Sequence, residues 1–291
     1  MFQAPDNTWL VPFDGSFRVH RARTDPPDRA PKEKALERAL EKSVARLNEL
    51  QEVLNARDEW SVLLIFQAMD AAGKDGTIRA MLTGVNPMGV RVAAFKQPSS
   101  LERNHDFLWR TVHELPERGQ IGVFNRSYYE EVLVVRVHPE LLDAQRLPRV
   151  CRSDRLWEER MESIRAHELH LARNGVVILK FWLNVSRKEQ RKRFLARLEE
   201  PHKNWKFAPG DVEESRCWPQ YMEAYEAALA ATSRPWAPWY AIPADDKVYM
   251  RATVADTVVS ALEKLDLRYP EPAATDQARY AEMRRMLEAD A

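Results

Sequence analysis

The sequence predicts an α/β protein of three layers: a central parallel sheet of about five strands, helices on both faces, and a helical lid over one end. Three observations carry this. Short apolar runs rich in β-branched residues alternate with helical stretches, as strands buried on both faces do. The first run, residues 62–66, breaks into Gln67-Ala-Met-Asp-Ala-Ala-Gly73 and then into a helical pattern from Lys74, the order of strand, small-residue loop and helix that cradles an anion. A basic helix over 187–199 runs into a polar, aromatic, turn-prone segment, which reads as a mobile lid.

Taken in order, residues 1–31 are rich in Pro, Asp and Arg and are expected as an N-terminal arm, attached through Trp9, Leu10, Val11 and Phe13. The spacing of Leu36, Leu40, Val44, Leu47, Leu50 and Leu54 gives an amphipathic helix over 32–57. After strand 62–66, a helix from Lys74 to about Leu82 should stop at Gly84, Asn86 and Pro87. Strand 90–95, helix 101–115, strand 120–125 and a helix from Ser127 follow. A long helix over 155–173, closed by Asn174-Gly175, leads to strand 176–183. Beyond the basic helix come the turn-prone 201–211, a helix over 212–231, a last strand within 236–243 and a closing helix over 252–265. The domain thus spans 32–267, with the lid at about 187–216, and 268–291 form a Pro-interrupted tail ending in a helix.

At 291 residues the chain is long enough to bury a substantial core. No apolar stretch approaches bilayer length and the first ten residues lack signal-peptide features, so a cytoplasmic protein with no membrane partner is expected. Cys151 and Cys217 belong to no metal-spaced cluster and read as reduced thiols. Formal net charge is zero, which argues against a general polyanion or nucleic-acid binder. Local charge differs: residues 187–206 gather eight Lys and Arg against three Glu.

The candidate site begins with Ala71, Ala72, Gly73, Lys74, Asp75 and Gly76, whose backbone and lysine suit phosphate. Two positions depart from the usual phosphate loop. Ala68 replaces its first glycine, and Asp75 replaces the Ser or Thr that holds magnesium. An extra carboxylate, Asp70, suggests a metal ligand or catalytic group, with a helix N-cap as the structural alternative. A second site lies where strand 120–125 ends at Asn125, the place where phosphate-loop enzymes put an acid. Asparagine cannot neutralise a cation, so Glu130, just over one turn later, is the natural carboxylate, and Arg126 can clamp a phosphoryl group. Arg193, Arg197, Lys203 and Lys206 are the lid cations expected to close on phosphate. His167-Glu-Leu-His170 is one residue short of a zinc helix motif and carries no metal reading.

Four segments, Phe66-Gln-Ala-Met-Asp-Ala-Ala-Gly-Lys-Asp-Gly76, Phe124-Asn-Arg-Ser-Tyr-Tyr-Glu130, Pro201-His-Lys-Asn-Trp-Lys-Phe207 and Trp236-Ala-Pro-Trp-Tyr-Ala-Ile-Pro243, together resemble the polyphosphate kinase 2 family. The resemblance implies a P-loop kinase fold with a lid, a requirement for Mg2+ or Mn2+, and phosphate transfer between inorganic polyphosphate and nucleotides. It makes Asp70 and Lys74 the loop residues essential for catalysis, Arg126 a phosphate contact, and Lys203 and Lys206 part of the lid; in the scheme built on it Arg126 and Glu130 join the catalytic set, Asn125, Arg126 and Glu130 are expected to meet the nucleotide, and Asp70 with Glu130 to place the metal. The pairing of Asn125 with Glu130 resembles the family's third class, so the expected reaction moves the terminal phosphoryl of polyphosphate to AMP and ADP, with GMP and GDP as further acceptors, giving ADP and ATP reversibly. A homo-oligomer, dimer or tetramer, is expected. Tyr128 stands where the family usually has His or Trp. Two alternatives stay open: an ATP-dependent nucleoside monophosphate kinase, which Asp75 disfavours, and a non-catalytic polyphosphate-binding module, which would need the cations but not Asp70.

Overall fold

Every residue of the strand Ser61–Gln67 (β1) is buried, and a strand buried on both faces belongs in the middle of a sheet. The computed structural model, which describes residues 1–289, places it there. Val90–Ala94 (β2), Ile121–Asn125 (β3), Val176–Asn184 (β4) and Trp239–Pro243 (β5) complete a sheet of order β2-β3-β1-β4-β5 in which all neighbours run parallel. Phe66 of β1 stands in register with Asn125 of β3 and Phe181 of β4, so the loop after β1 opens beside the end of β3. Phe66 stacks on Phe181 and Phe181 on Tyr240, with centroids 5.1 and 5.6 Å apart, a ladder through three adjacent strands just beneath the site.

Helices Glu33–Arg57 (α1), Lys74–Leu82 (α2), Trp109–Val112 (α3), Val134–Val137 (α4), Leu141–Gln145 (α5), Leu156–Arg173 (α6), Arg187–Glu199 (α7), Pro209–Glu214 (α8), Trp218–Thr232 (α9), Lys247–Glu263 (α10) and Ala274–Ala289 (α11) follow in chain order. α1, α2 and α10 pack together, as do α6 and α9, which makes the two helical layers around the sheet. The N-terminal arm is tied to the edge strand: Val11 N–H donates to Trp239 O at 2.9 Å, Leu10 bridges Tyr240, and Phe2, Val11 and Phe17 are buried. The C-terminal tail carries α11, with Asp290 and Ala291 outside the described residues. Among the described residues no helix is long and apolar enough to cross a membrane.

Four helices differ from expectation, each for a local reason. The span 101–115 holds only a short turn and α3, because His105 is extended and Asp106 Oδ1 accepts from Leu108 N–H at 2.9 Å, a side-chain bond that competes with the helix. After Ser127 the chain forms a 3-10 turn, Tyr128–Val132, and then α4 rather than one helix. Tyr128, Tyr129, Glu131 and Val132 are all buried, so no single amphipathic face organises them. The helix expected over 212–231 is split into α8 and α9, since Pro219 fits a first turn but not an interior. α10 starts at Lys247 rather than near residue 252, because Asp246 accepts from the N–H groups of Val248 and Tyr249 at 2.8 and 2.9 Å.

Gly122, in the middle of β3, faces a rigid ring: a Cβ there would lie 2.9 Å from Pro116 Cδ and 3.0 Å from its Cγ. Gly122→Ala is therefore expected to lower stability by about 1–3 kcal/mol, as overpacking does. Urea unfolding followed by circular dichroism checks this, and an unchanged midpoint would contradict it.

Candidate active site

The loop between β1 and α2 is shaped by two left-handed residues, Ala71 at φ +61° and Gly73 at φ +110°. A non-glycine residue in this region is uncommon and persists where surrounding contacts hold it. Here the contacts come from α7. Arg193 is buried, and all five of its N–H groups donate to protein acceptors: Glu189 Oε1 at 2.9 Å, Ala71 O at 3.1 Å, Ala72 O at 2.7 Å, Ala244 O at 2.7 Å and Asp245 O at 3.0 Å. Gln190 Nε2 adds a bond to Asp70 O at 3.0 Å.

Arg193 thus departs from the expected lid cation. With every donor engaged it has none to offer a phosphate, and it serves to clamp the loop. Lys74, at the start of α2, folds back under the loop, its Nζ donating to Ala68 O at 2.7 Å and Met69 O at 3.4 Å. Burial pushes its pKa down, opposed by the negative charge of Asp70.

Arg126 follows β3 in the left-handed region, at φ +66°. Its N–H donates to Phe66 O at 3.0 Å, and its guanidinium lies between two carboxylates, 3.0 Å from Asp70 Oδ1 and 3.4 Å from Glu130 Oε2. Those charges, Glu130 first, hold it well above the ordinary arginine value. Burial raises the Glu130 carboxyl, against the pull of Arg126 and Lys74. The Gln67 amide, oriented to satisfy both its ends, donates to Glu130 Oε1 at 2.9 Å. Asn125 Nδ2 donates to Asp75 Oδ1 at 2.7 Å, which joins the ends of β3 and the loop. Asp70, Lys74, Asp75, Asn125, Arg126 and Glu130, far apart in sequence, are therefore one cluster.

Of the lid cations, Arg197 is held by Asp211 Oδ2 at 2.9 Å and by Lys206 O at 3.2 Å. Lys203 pairs with Glu200, and Lys206 lies 5.0 Å over the ring of the exposed Trp205. All three line a cleft of about 740 Å³ together with Asp70, the loop and Asn125.

The same cleft is lined by Arg79, Lys96, Lys247 and Arg251, which sequence reasoning missed. Among the described residues none of these four has a carboxylate within ion-pair distance. Burial, then Arg193 and Lys203, push Lys247 down, and burial, then Arg79, push Arg251 down. Gly76 leaves room for this arrangement, since a Cβ there would lie 3.1 Å from an Arg251 guanidinium nitrogen. Arg79 lies on the face of α2 that follows the loop and was open to a helical-wheel reading. Lys247 and Arg251 were hidden by the misplaced start of α10.

On the other side of Arg126, Tyr225 of α9 is buried near Glu130 and Asp70; burial first, then those charges, hold its hydroxyl well above its usual range. The arrangement therefore joins a cation-rich cleft to the carboxylates around Arg126, with the buried Tyr225 near them. Such an arrangement can hold phosphates in line across the junction.

The chain is similar in sequence and fold to known proteins. The description "Polyphosphate kinase 2" belongs to the family whose model matches residues 30–270. A protein of Rhodopseudomonas palustris named ADP-polyphosphate phosphotransferase is 52% identical over 249 residues, 85% of this chain and 86% of its own. One of Meiothermus ruber, named AMP/ADP-polyphosphate phosphotransferase, is 45% identical over 272 residues, 92% of this chain and 97% of its own. The crystal structure of polyphosphate kinase 2 from Arthrobacter aurescens is similar with a TM-score of 0.86 at 36% identity, covering 96% of this chain and 97% of that one.

The depressed lysine in the cleft predicts a pH dependence. A bound polyanion favours protonated Lys247, so binding takes up protons where the free protein has begun to lose them. Affinity for tripolyphosphate is expected to fall as pH rises toward the ordinary lysine value of 10.5, and the slope should be reduced in Lys247→Gln. Calorimetric titration across this range is the check; an identical slope in the variant would contradict it.

Proposed function

The chain belongs to the polyphosphate kinase 2 family and moves phosphate between polyphosphate and nucleotides; we propose that its acceptors are AMP and ADP and that Glu130 extends its use to AMP. The observation that supports polyphosphate as the donor is the set of cations without carboxylate partners among the described residues, Arg79, Lys96, Lys247 and Arg251, lining the cleft beside the loop. One nucleoside triphosphate does not need so many. A long phosphate chain would offset their mutual repulsion, by the same counterion release that draws basic grooves to polyanions.

In this reading polyphosphate lies along the cleft with its terminal phosphoryl at the loop amides and Lys74. The acceptor's phosphate oxygen approaches from the side of Arg126 and Glu130. A bond forms from that oxygen to the terminal phosphorus, the bridging bond breaks, and the chain leaves one unit shorter with its negative charge on the cationic side. Arg126 stabilises the equatorial oxygens, and the lid cations Arg197, Lys203 and Lys206 close over them. Residues 187–216 are the lid in this scheme, with its first turns fixed and its later part free to move.

A divalent cation fits beside Asp70. Among the described residues only Oδ1 of that carboxylate is engaged, by Arg126, and the residue lines the cleft, where substrate oxygens could complete the shell of a cation. Magnesium in such sites takes one or two carboxylates plus phosphates and water, so no larger acidic cluster is required. Glu130 suits the role less well than its place after Asn125 leads one to expect, since Arg126 and Gln67 engage both its oxygens. Mg2+ or Mn2+ held there would neutralise charge on the transferring phosphate. The free cysteines, Cys151 and Cys217, support a reducing compartment, the cytoplasm.

Incubation with Mg2+ and AMP, supplying polyphosphate or ATP as donor, tests the reading. ADP and then ATP should form with polyphosphate; product with ATP alone would favour a nucleoside monophosphate kinase, and none with either a binding module. Asp70→Asn is expected to lower turnover by about two orders of magnitude or more while the fold is kept, and near wild-type turnover would exclude its role. Glu130→Asn should weaken use of AMP more than of ADP; equal losses would sink the argument for a dual acceptor.

A further inference from the structure

The turn that bears Arg126 and Glu130 is held from behind by a charged network lying wholly in the core. Glu130 turns toward Arg126, while Tyr128 and Tyr129 turn inward and are almost inaccessible, at 2% and 0%. Their hydroxyls converge on one carboxylate oxygen, donating to Glu168 Oε1 of α6 at 3.1 and 2.9 Å. The other oxygen, Glu168 Oε2, accepts from Lys180 Nζ of β4 at 2.6 Å. Lys180 donates twice more, to Tyr129 Oη and to Thr232 O, both at 2.9 Å. Trp239 Nε1 of β5 closes the set by donating to Thr232 Oγ1 at 2.9 Å.

Glu168 and Lys180 are 1% and 0% exposed, so each gives up its hydration in full. A buried pair of this kind seldom adds net stability, because desolvation of two ions offsets their attraction, and apolar side chains of similar volume do as well or better. What apolar side chains lack is direction. Two tyrosine hydroxyls converging on a carboxylate, itself fixed by an ammonium with three acceptors, allow one height and one rotation of the turn.

We propose that Glu168 and Lys180 are positioning residues for the acceptor side of the reaction. Through Tyr128 and Tyr129 they set where Glu130 and Arg126 stand relative to Asp70. Tyr129 adjoins Glu130 in the chain and Tyr128 precedes it by two residues, so a shift of either ring is passed to the Glu130 backbone through at most one intervening residue. The inference rests on the reading of Arg126 and Glu130 as the acceptor side.

The test is steady-state kinetics of Tyr128→Phe/Tyr129→Phe, which keeps both rings and removes only the two hydroxyls, with acceptor and polyphosphate varied separately. KM for AMP should rise roughly tenfold, the size usual when a partner that orients a functional group is lost, while KM for polyphosphate stays unchanged. The Lys180→Met/Glu168→Gln double variant removes both charges together, leaves no unpaired ion, and should reproduce the rise in the acceptor KM. A lower melting temperature with unchanged KM for AMP in both variants would overturn the proposal and make the network a stabilising core element only. A rise confined to KM for polyphosphate would overturn it differently, by showing that the turn serves the donor and that the acceptor reading fails.

Discussion

The site depends on one guanidinium. Arg193 holds the carbonyls of Ala71 and Ala72 on one side and those of Ala244 and Asp245 on the other, which ties the loop after β1 to the connection between β5 and α10. A loop that turns its amides toward an anion must turn its carbonyls away, and buried carbonyls need donors. A planar guanidinium with five N–H groups meets that need at a single point, where lysine has only a point charge. The left-handed Ala71 is tolerated for the same reason: the contacts around it over-determine its conformation.

Around that fixed point charge is sorted by position. Arg79, Lys96, Lys247 and Arg251 line the cleft without carboxylate partners among the described residues, whereas at the junction Asp70 and Glu130 flank Arg126 and Asp75 meets Asn125. A formal net charge of zero conceals the separation, because acids and bases balance over the whole chain and not within the site. The opposite pKa directions at Arg126 and Lys247, one raised by carboxylates and one lowered by burial and fellow cations, mark the two territories.

Much of this was legible in the sequence. The strands and the span of α2 could be read from periodicity and small residues, since buried parallel strands leave a strong apolar signal. Asp70, Lys74, Asn125, Arg126 and Glu130 could be named because they sit at strand ends, where open α/β sheets place ligands. What was not legible depended on long-range contacts. Basic periodicity in 187–206 could not distinguish Arg193, whose five N–H groups are all taken up within the protein, from Arg197, which lines the same cleft with only Nη1 engaged among the described residues. Lys247 and Arg251 enter the cleft only because Asp246 caps a helix whose start the apolar pattern alone put too late. Glu168, dismissed along with a failed metal motif, proved to be the hub of the core behind the site.

The division of α7 has a kinematic consequence. Gln190 and Arg193 grip the loop, whereas Arg197 and the residues beyond it belong to the segment over the cleft. Any swing of that segment must therefore pivot after residue 193, on the far side of the grip. The lever is short, and its fulcrum lies outside the phosphate cradle. If 194–216 act as the proposed lid, opening and closing would leave the grip of Gln190 and Arg193 on the loop intact, so that each cycle would begin from an assembled loop.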